Sequence, residues 1–220
     1  MGQRINLWVL SSAVMLGSMV SVDGYAWAEQ ASCTDCAGLV TATVQPELRL
    51  DVAIRELIDG GQTIGPEVTD MHFGPLASHG TFDPDGAGPL APRPRALNST
   101  KAFQVFFGML NQGRPYSLDQ TATSLRDGAN TLPDGAFIVT PLVGEGGDPS
   151  KPLPAGTMVG TRGTAASNRM LFSAGGGDTK TMAVTYGITD DPALGATEGI
   201  SPNQPPGNYQ TQVVFTATAN

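Results

Sequence analysis

The chain has 220 residues, a formal net charge of −8, only 15% charged residues, and 28 Gly and 17 Pro that together exceed a fifth of its length. So few cations argue against nucleic acid or an anionic membrane surface as partner, since both need clustered Lys and Arg. The apolar residues fall in periodic segments separated by Gly/Pro punctuation, which excludes disorder and points to short strands joined by many turns.

Residues 1 to 28, MGQRINLWVLSSAVMLGSMVSVDGYAWA, carry Arg4 ahead of an apolar run from Leu7 to Val22 and end in the small-x-small pattern Ala26-Trp27-Ala28. They read as a secretory signal peptide; the apolar run is shorter than the ~20 residues of a bilayer span, so no membrane span is expected after cleavage. The exported chain starts near Glu29 and keeps 192 residues (220 less 28), a length suited to one domain with a core of its own.

Residues 29–37 form a small, polar, exposed leader holding Cys33 and Cys36, the only cysteines, as Cys-Thr-Asp-Cys. An exported chain favours an oxidised pair closing a short loop. A redox-active pair would sit at a helix start in a βαβ unit, whereas a strand pattern follows here. A cross-link to a neighbouring subunit is the third alternative.

From Gly38 to Ile54, GLVTATVQPELRLDVAI, two alternating segments meet at Pro46. Val40, Ala42 and Val44 share a face of the first; Leu48, Leu50, Val52 and Ile54 share a face of the second, with Arg49 and Asp51 opposite. Period two is the pattern of half-buried strands, and Pro46 removes a ladder donor between them. Residues 55–68, with Gly60-Gly61 and Gly65-Pro66, read as a connecting loop. Met71, Phe73 and Leu76 mark a short strand, and the Pro/Gly-rich stretch 77–96 a long surface loop.

Lys101 to Leu110 is a strand with Phe103, Val105 and Phe107 on one face and Phe106 on the other. Tyr116 to Thr123 sets Tyr116, Leu118 and Gln120 against Ser117, Asp119 and Thr121, and Ala136 to Val143 is a further strand before a second Gly/Pro loop over 144–156. Residues 168–173 and 179–189 flank Gly175-Gly176-Gly177-Asp178 and read as a hairpin, with Met182, Val184 and Tyr186 on one face of its second arm. The chain closes on residues 207–219, where Tyr209, Val213, Phe215 and Ala217 point one way and Gln210, Gln212, Thr216 and Thr218 the other. Eight or nine short strands and no long helix predict an all-β antiparallel sandwich over residues 38–220, with Tyr209 placed for a tyrosine corner.

No catalytic constellation or cofactor motif stands out, and the chain is read as non-enzymatic: it has two histidines in one region and no Gly-x-Ser-x-Gly turn. No metal site is assigned. His72 and His79 are the pair a zinc or copper site would draw on, against the plainer reading of two surface residues. Asp83-Pro84-Asp85-Gly86 lacks the alternating ligands and closing Glu of a calcium loop, and Asn98-Ser99-Thr100 spells a glycosylation sequon that a bacterial-style signal makes a coincidence.

Val40 to Pro46 followed by Leu48 and Leu50 resembles the N-terminal donor strand of fimbrial major subunits of the colonisation-factor type, and Gly207-Asn208-Tyr209 with Val213 to Thr218 resembles their closing strand. The plan is also similar to spore-coat-protein-U-like secreted pilin domains. The resemblance implies an incomplete immunoglobulin-like sandwich, completed by donor-strand exchange through residues 38–46 and polymerising with identical subunits. It implies a periplasmic chaperone and usher as partners, and a fimbria or surface fibre serving attachment as destination. The Cys33/Cys36 leader and the loop over 77–96 depart from that pattern. The alternative expectation is a self-complete secreted sandwich that binds a carbohydrate or metal through its loops.

Overall fold

A computed structural model describes residues 36–44, 48–58, 63–77, 97–111, 113–175 and 180–219. They form fifteen strands: β1 (Cys36–Val44), β2 (Arg49–Ile58), β3 (Thr63–Val68), β4 (Leu76–Ala77), β5 (Asn98–Ser99), β6 (Ala102–Leu110), β7 (Tyr116–Ala122), β8 (Arg126–Asp127), β9 (Asn130–Thr131), β10 (Phe137–Pro141), β11 (Met158–Val159), β12 (Gly163–Thr164), β13 (Asn168–Ala174), β14 (Lys180–Ile188) and β15 (Tyr209–Ala219). Two single-turn 3-10 helices, Asp134–Ala136 and Pro192–Leu194, are the helical segments among the described residues.

The strands build an all-β sandwich. The first sheet runs β11-β13-β7-β15-β8-β9 with β1 added to β15, the second runs β12-β10-β14-β6-β2-β3, and β4 pairs with β5 apart from both. All described strand pairings are antiparallel except that of β1 with β15.

The alternation read from the sequence fills the space between the sheets. Leu50 and Ile54 of β2, Phe103, Val105, Phe107 and Met109 of β6, and Met182, Val184, Tyr186 and Ile188 of β14 face Tyr116 and Leu118 of β7 and Val213, Phe215 and Ala217 of β15, all buried. Rings lock across the gap: Phe107 and Phe215 meet edge to face, 4.7 Å between centroids at 76°. Polar links also cross it: the Tyr116 hydroxyl donates to Sδ of Met182 at 3.3 Å, and the Tyr186 hydroxyl donates to Oε1 of Gln120, whose Nε2 donates to the carbonyl of Ala165 at 2.6 Å. A buried Gln and Tyr each need a partner, and here they supply each other.

Three local expectations give way to the tertiary arrangement. Residues 55–58 and 63–68 are not a loop: β2 runs on to Ile58 and β3 returns antiparallel to it, while Gly60-Gly61 lies outside the described residues. Pro66 is tolerated because β3 ends its sheet and one side of it owes no ladder bond. Met71 and Phe73 are fully buried but in no strand; Leu76–Ala77 alone pairs, with Asn98–Ser99. The segments around Gly175-Gly176-Gly177 are not a hairpin either: β13 pairs with β7 and β11 in the first sheet, β14 with β6 and β10 in the second. Both arms carry an apolar face, and from opposite sheets each buries it in the core between them.

Asn98 of the sequon is 4% exposed and its Oδ1 accepts from the amide of Asp190 at 2.8 Å, so its side chain is spent on internal structure. The loop expected over 77–96 lies outside the described residues from position 78 on, as do the signal peptide and residues 29–35 of the leader.

Candidate functional site

The site is the edge of the first sheet where the two ends of the domain meet. β15, YQTQVVFTATA, is a strand because small, β-branched and aromatic residues alternate with Gln and Thr along its eleven residues. Tyr209, Val213, Phe215 and Ala217 are at most 4% exposed, while Gln210 and Gln212 lie on the surface. Its entry is pinned by the expected tyrosine corner. The Tyr209 hydroxyl donates to the carbonyl of Pro205, four residues upstream, at 2.7 Å, and Nε2 of Gln204 donates to that hydroxyl and to the carbonyl of Thr131, each at 3.0 Å. Tyr209→Phe keeps the ring and loses the donor, so it is expected to lower unfolding free energy by about 1 kcal/mol. The check is a urea titration in which the midpoint falls and the slope stays unchanged.

Residues 213–217 of β15 pair with β7 and with β1, so those two strands lie on opposite edges of β15. The β1 ladder is parallel and nine residues long, from Cys36 opposite Tyr209 to Val44 opposite Ala217. Val40, Ala42 and Val44 stand in register with Val213, Phe215 and Ala217, the three core residues of β15, while Thr41 and Thr43 stand in register with Val214 and Thr216. The alternation read at each end of the chain is thus in phase across the pair. β1 is followed in the chain by β2, which begins at Arg49 and belongs to the other sheet.

The other expected site residues are placed as follows. Leu48 and Leu50, grouped above with the donor segment, belong to the body of the domain: they are 7% and 1% exposed, in the core, and Leu50 lies in the ladder between β2 and β6. Cys33 lies outside the described residues, and with it the expected disulfide; Cys36 opens β1. His72 is described, and its Nδ1 accepts from the amide of Gly74 at 3.2 Å, whereas His79 lies outside the described residues. Among the described residues no three His, Cys, Asp or Glu side chains gather as a metal site would need.

Chemically, such an edge offers backbone hydrogen bonds and a row of core positions in phase with alternate side chains of whatever strand lies on it. The chain's charge is absent there: neither β1 nor β15 contains an Asp, Glu, Lys or Arg. Sequence reasoning missed the parallel direction and register of the pair, which have no local signal. It also missed the Gln120–Tyr186 link, although a Gln on the apolar row of one strand and a Tyr on the apolar row of another do signal mutual need. No protein-family model matches the chain, and no curated protein or solved structure matches it either.

Proposed function

We propose that the chain is an exported structural subunit of a fimbria or surface fibre that polymerises when β1 leaves the β15 edge of its own copy and occupies the same edge of the next. The observation that carries this reading is the phase match of an N-terminal strand with the core row of the C-terminal strand, on a margin where it has β15 as its one ladder partner among the described residues. A terminal edge strand that leaves one domain and enters an identical one recovers every backbone bond it lost, so exchange is nearly neutral in enthalpy and proceeds head to tail. In transit the vacated edge exposes unpaired N–H and C=O groups beside Val213, Phe215 and Ala217, which is the hazard a periplasmic chaperone and an usher would manage. The immunoglobulin-like description of the sandwich, the role in attachment and the cell-surface location belong to this proposal, as does a structural rather than catalytic role.

The test is the exported chain run on an SDS gel unboiled and boiled, together with a form lacking residues 29–45. Multimers that collapse only on boiling, and binding of a synthetic peptide of residues 38–46 by the truncated form, are the expected results. A sharp monomer unchanged by boiling whose truncated form ignores the peptide overturns the reading.

A second reading, a self-complete secreted binding module, is favoured by the fact that β1 pairs with β15 of the same chain. Its ligand would use loops such as those around a cleft of about 490 Å³ between Pro75, Leu76, Leu97, Leu132, Pro206 and Tyr209. Under this reading the truncation removes a core-completing strand and the domain unfolds.

A further inference from the structure

At the margin of the sandwich away from β1, the ends of the two sheets frame a cleft of about 470 Å³. β12 pairs with β10 at Ile138 and Val139; beyond them Thr140 and Pro141 have no ladder partner on that side among the described residues. Gly160 and Arg162, on the stretch that leads from β11 of the first sheet to β12 of the second, line the cleft together with Thr140. Both glycines of the lining are held in place. A Cβ on Gly160 would collide with the carbonyl oxygen of Met170, and one on Gly147, at φ +82°, would stand 2.7 Å from Nε2 of Gln104. The walls are thus formed before any ligand arrives, which lowers the cost of binding.

Two features of the lining are not explained by packing. Phe137 and Val139 turn into the core, so Thr140 stands on the other face of β10, opposite Thr185 of β14. Both threonines are buried, and among the described residues neither hydroxyl has a hydrogen-bond partner. Leaving a buried hydroxyl so costs about 1–3 kcal/mol, and here two lie side by side. The second feature is Arg162, the one charged residue of the lining, anchored by donation from Nη1 to the carbonyl of Ala193 at 2.7 Å. The carboxylate of Asp148, beside the lining Pro149, is engaged by the amide and hydroxyl of Ser150 and by Lys151 at 3.5 Å. Leu142, Val143, Pro149 and Val159 supply aliphatic surface, and no aromatic ring lines the cleft.

We infer that this cleft binds a small hydroxylated carboxylate of the sugar-acid class, with its carboxylate on Arg162, a hydroxyl on Thr140 and its C–H surface against Leu142, Pro149 and Val159. The volume falls within the ~300–1,000 Å³ of small-molecule sites, which are mostly apolar with a few placed polar groups. A planar guanidinium takes a carboxylate in a two-pronged pair, and a threonine hydroxyl can both give to and accept from another hydroxyl. A plain aliphatic acid would leave the Thr140 hydroxyl without a partner, and a neutral sugar would leave Arg162 without an anion. The net charge of −8 opposes an anion at long range, but beyond ~8 Å it is screened at physiological salt, so the guanidinium at contact decides. The inference goes beyond the fibre reading and does not rest on it: the cleft lies at the margin opposite β1 and is the same in a free and in a polymerised subunit.

The experiment is calorimetric titration of the chain with galacturonate, with amide shifts of residues 140–162 followed alongside. Galactose and hexanoate are the companion probes, the first lacking the charge and the second the hydroxyls. Expected is saturable galacturonate binding that moves those amides, with both companions weaker by about tenfold or more. Arg162→Gln should weaken galacturonate binding by about tenfold or more, the loss of a charge-assisted pair. Thr140→Val keeps the shape of the side chain and removes the hydroxyl, so it should weaken binding several-fold without lowering the unfolding midpoint. Trigalacturonate distinguishes the two sources of such a ligand, binding more tightly than galacturonate if the cleft takes a polymer and no more tightly if it takes the free acid. No saturable binding at the cleft, equal binding of galactose or hexanoate, or parental affinity in Thr140→Val, which would mean that the hydroxyl holds water only, overturns the inference. Boiled and unboiled SDS gels do not bear on it, so it and the fibre reading fail separately.

Discussion

Phe215→Ala is expected to lower the unfolding free energy by about 3–5 kcal/mol, a large share of the ~5–15 kcal/mol that holds a domain of this size together. Phe215 is fully buried at the middle of β15, against Phe107 of the opposite sheet at 4.7 Å and Tyr186 at 6.4 Å between ring centroids. Truncating it leaves a hole between two sheets that cannot close on it, because both backbones are held by their ladders on either side. The same substitution removes the core side chain in register with Ala42, so the β1 edge should loosen along with the core. Thr216→Ala, one position on and half-buried on the outer face, is the control and should stay within about 0.5 kcal/mol. Urea unfolding of the chain measures both, and a loss below about 1 kcal/mol for Phe215→Ala would count against the packing described.

Tyr186→Phe should cost about 1–3 kcal/mol at neutral pH, since it leaves Oε1 of Gln120 buried without its donor. It should also change the alkaline limb of stability. Burial pushes the Tyr186 phenol well above its ordinary value of 10.0, with the nearby Arg169 pulling weakly the other way. The folded protein therefore keeps a proton that an unfolded tyrosine gives up. That contribution is fully present below about pH 10 and is lost as pH rises from there toward the folded value. Tyr116, whose phenol burial also raises, contributes in the same direction. Unfolding midpoints followed upward from pH 9 or so should fall more gently in Tyr186→Phe than in the parent, with Tyr116 carrying part of the slope that remains. Parallel curves would mean that the Tyr186 hydroxyl is reached by water and is not part of a closed core.

Much of the core was legible in the sequence because it rests on alternation. Phe103, Val105 and Phe107 face inward as expected, as do Tyr116, Leu118 and Gln120, and Val213, Phe215 and Ala217. Even the tyrosine corner could be placed, since it depends on a Tyr at a strand entry and a carbonyl four residues away. Pairing was another matter. Gly175-Gly176-Gly177 joins two strands whether they lie side by side or cross between sheets, and the stretch 55–68 that reads as a connecting loop proves to hold the end of one strand and the whole of its antiparallel partner, which contains Pro66. Met71 and Phe73 alternate like strand residues, yet the segment is held by its buried side chains and pairs with no strand. Of the candidate site, the two strands and the inward residues of β15 were legible; their partnership was not.

By itself the sequence determined which side chains each strand turns inward and that two ends of the chain carry matching, uncharged alternations, because side-chain period is a property of the local backbone. The tertiary structure alone decided that β1 lies parallel to β15 with Val40 opposite Val213, that β13 and β14 belong to different sheets, and that Gln120 meets Tyr186. The reason is physical: ladder bonds join N–H and C=O groups that every residue carries alike, so partner, direction and register are chosen by how the apolar faces of the whole domain close on one another.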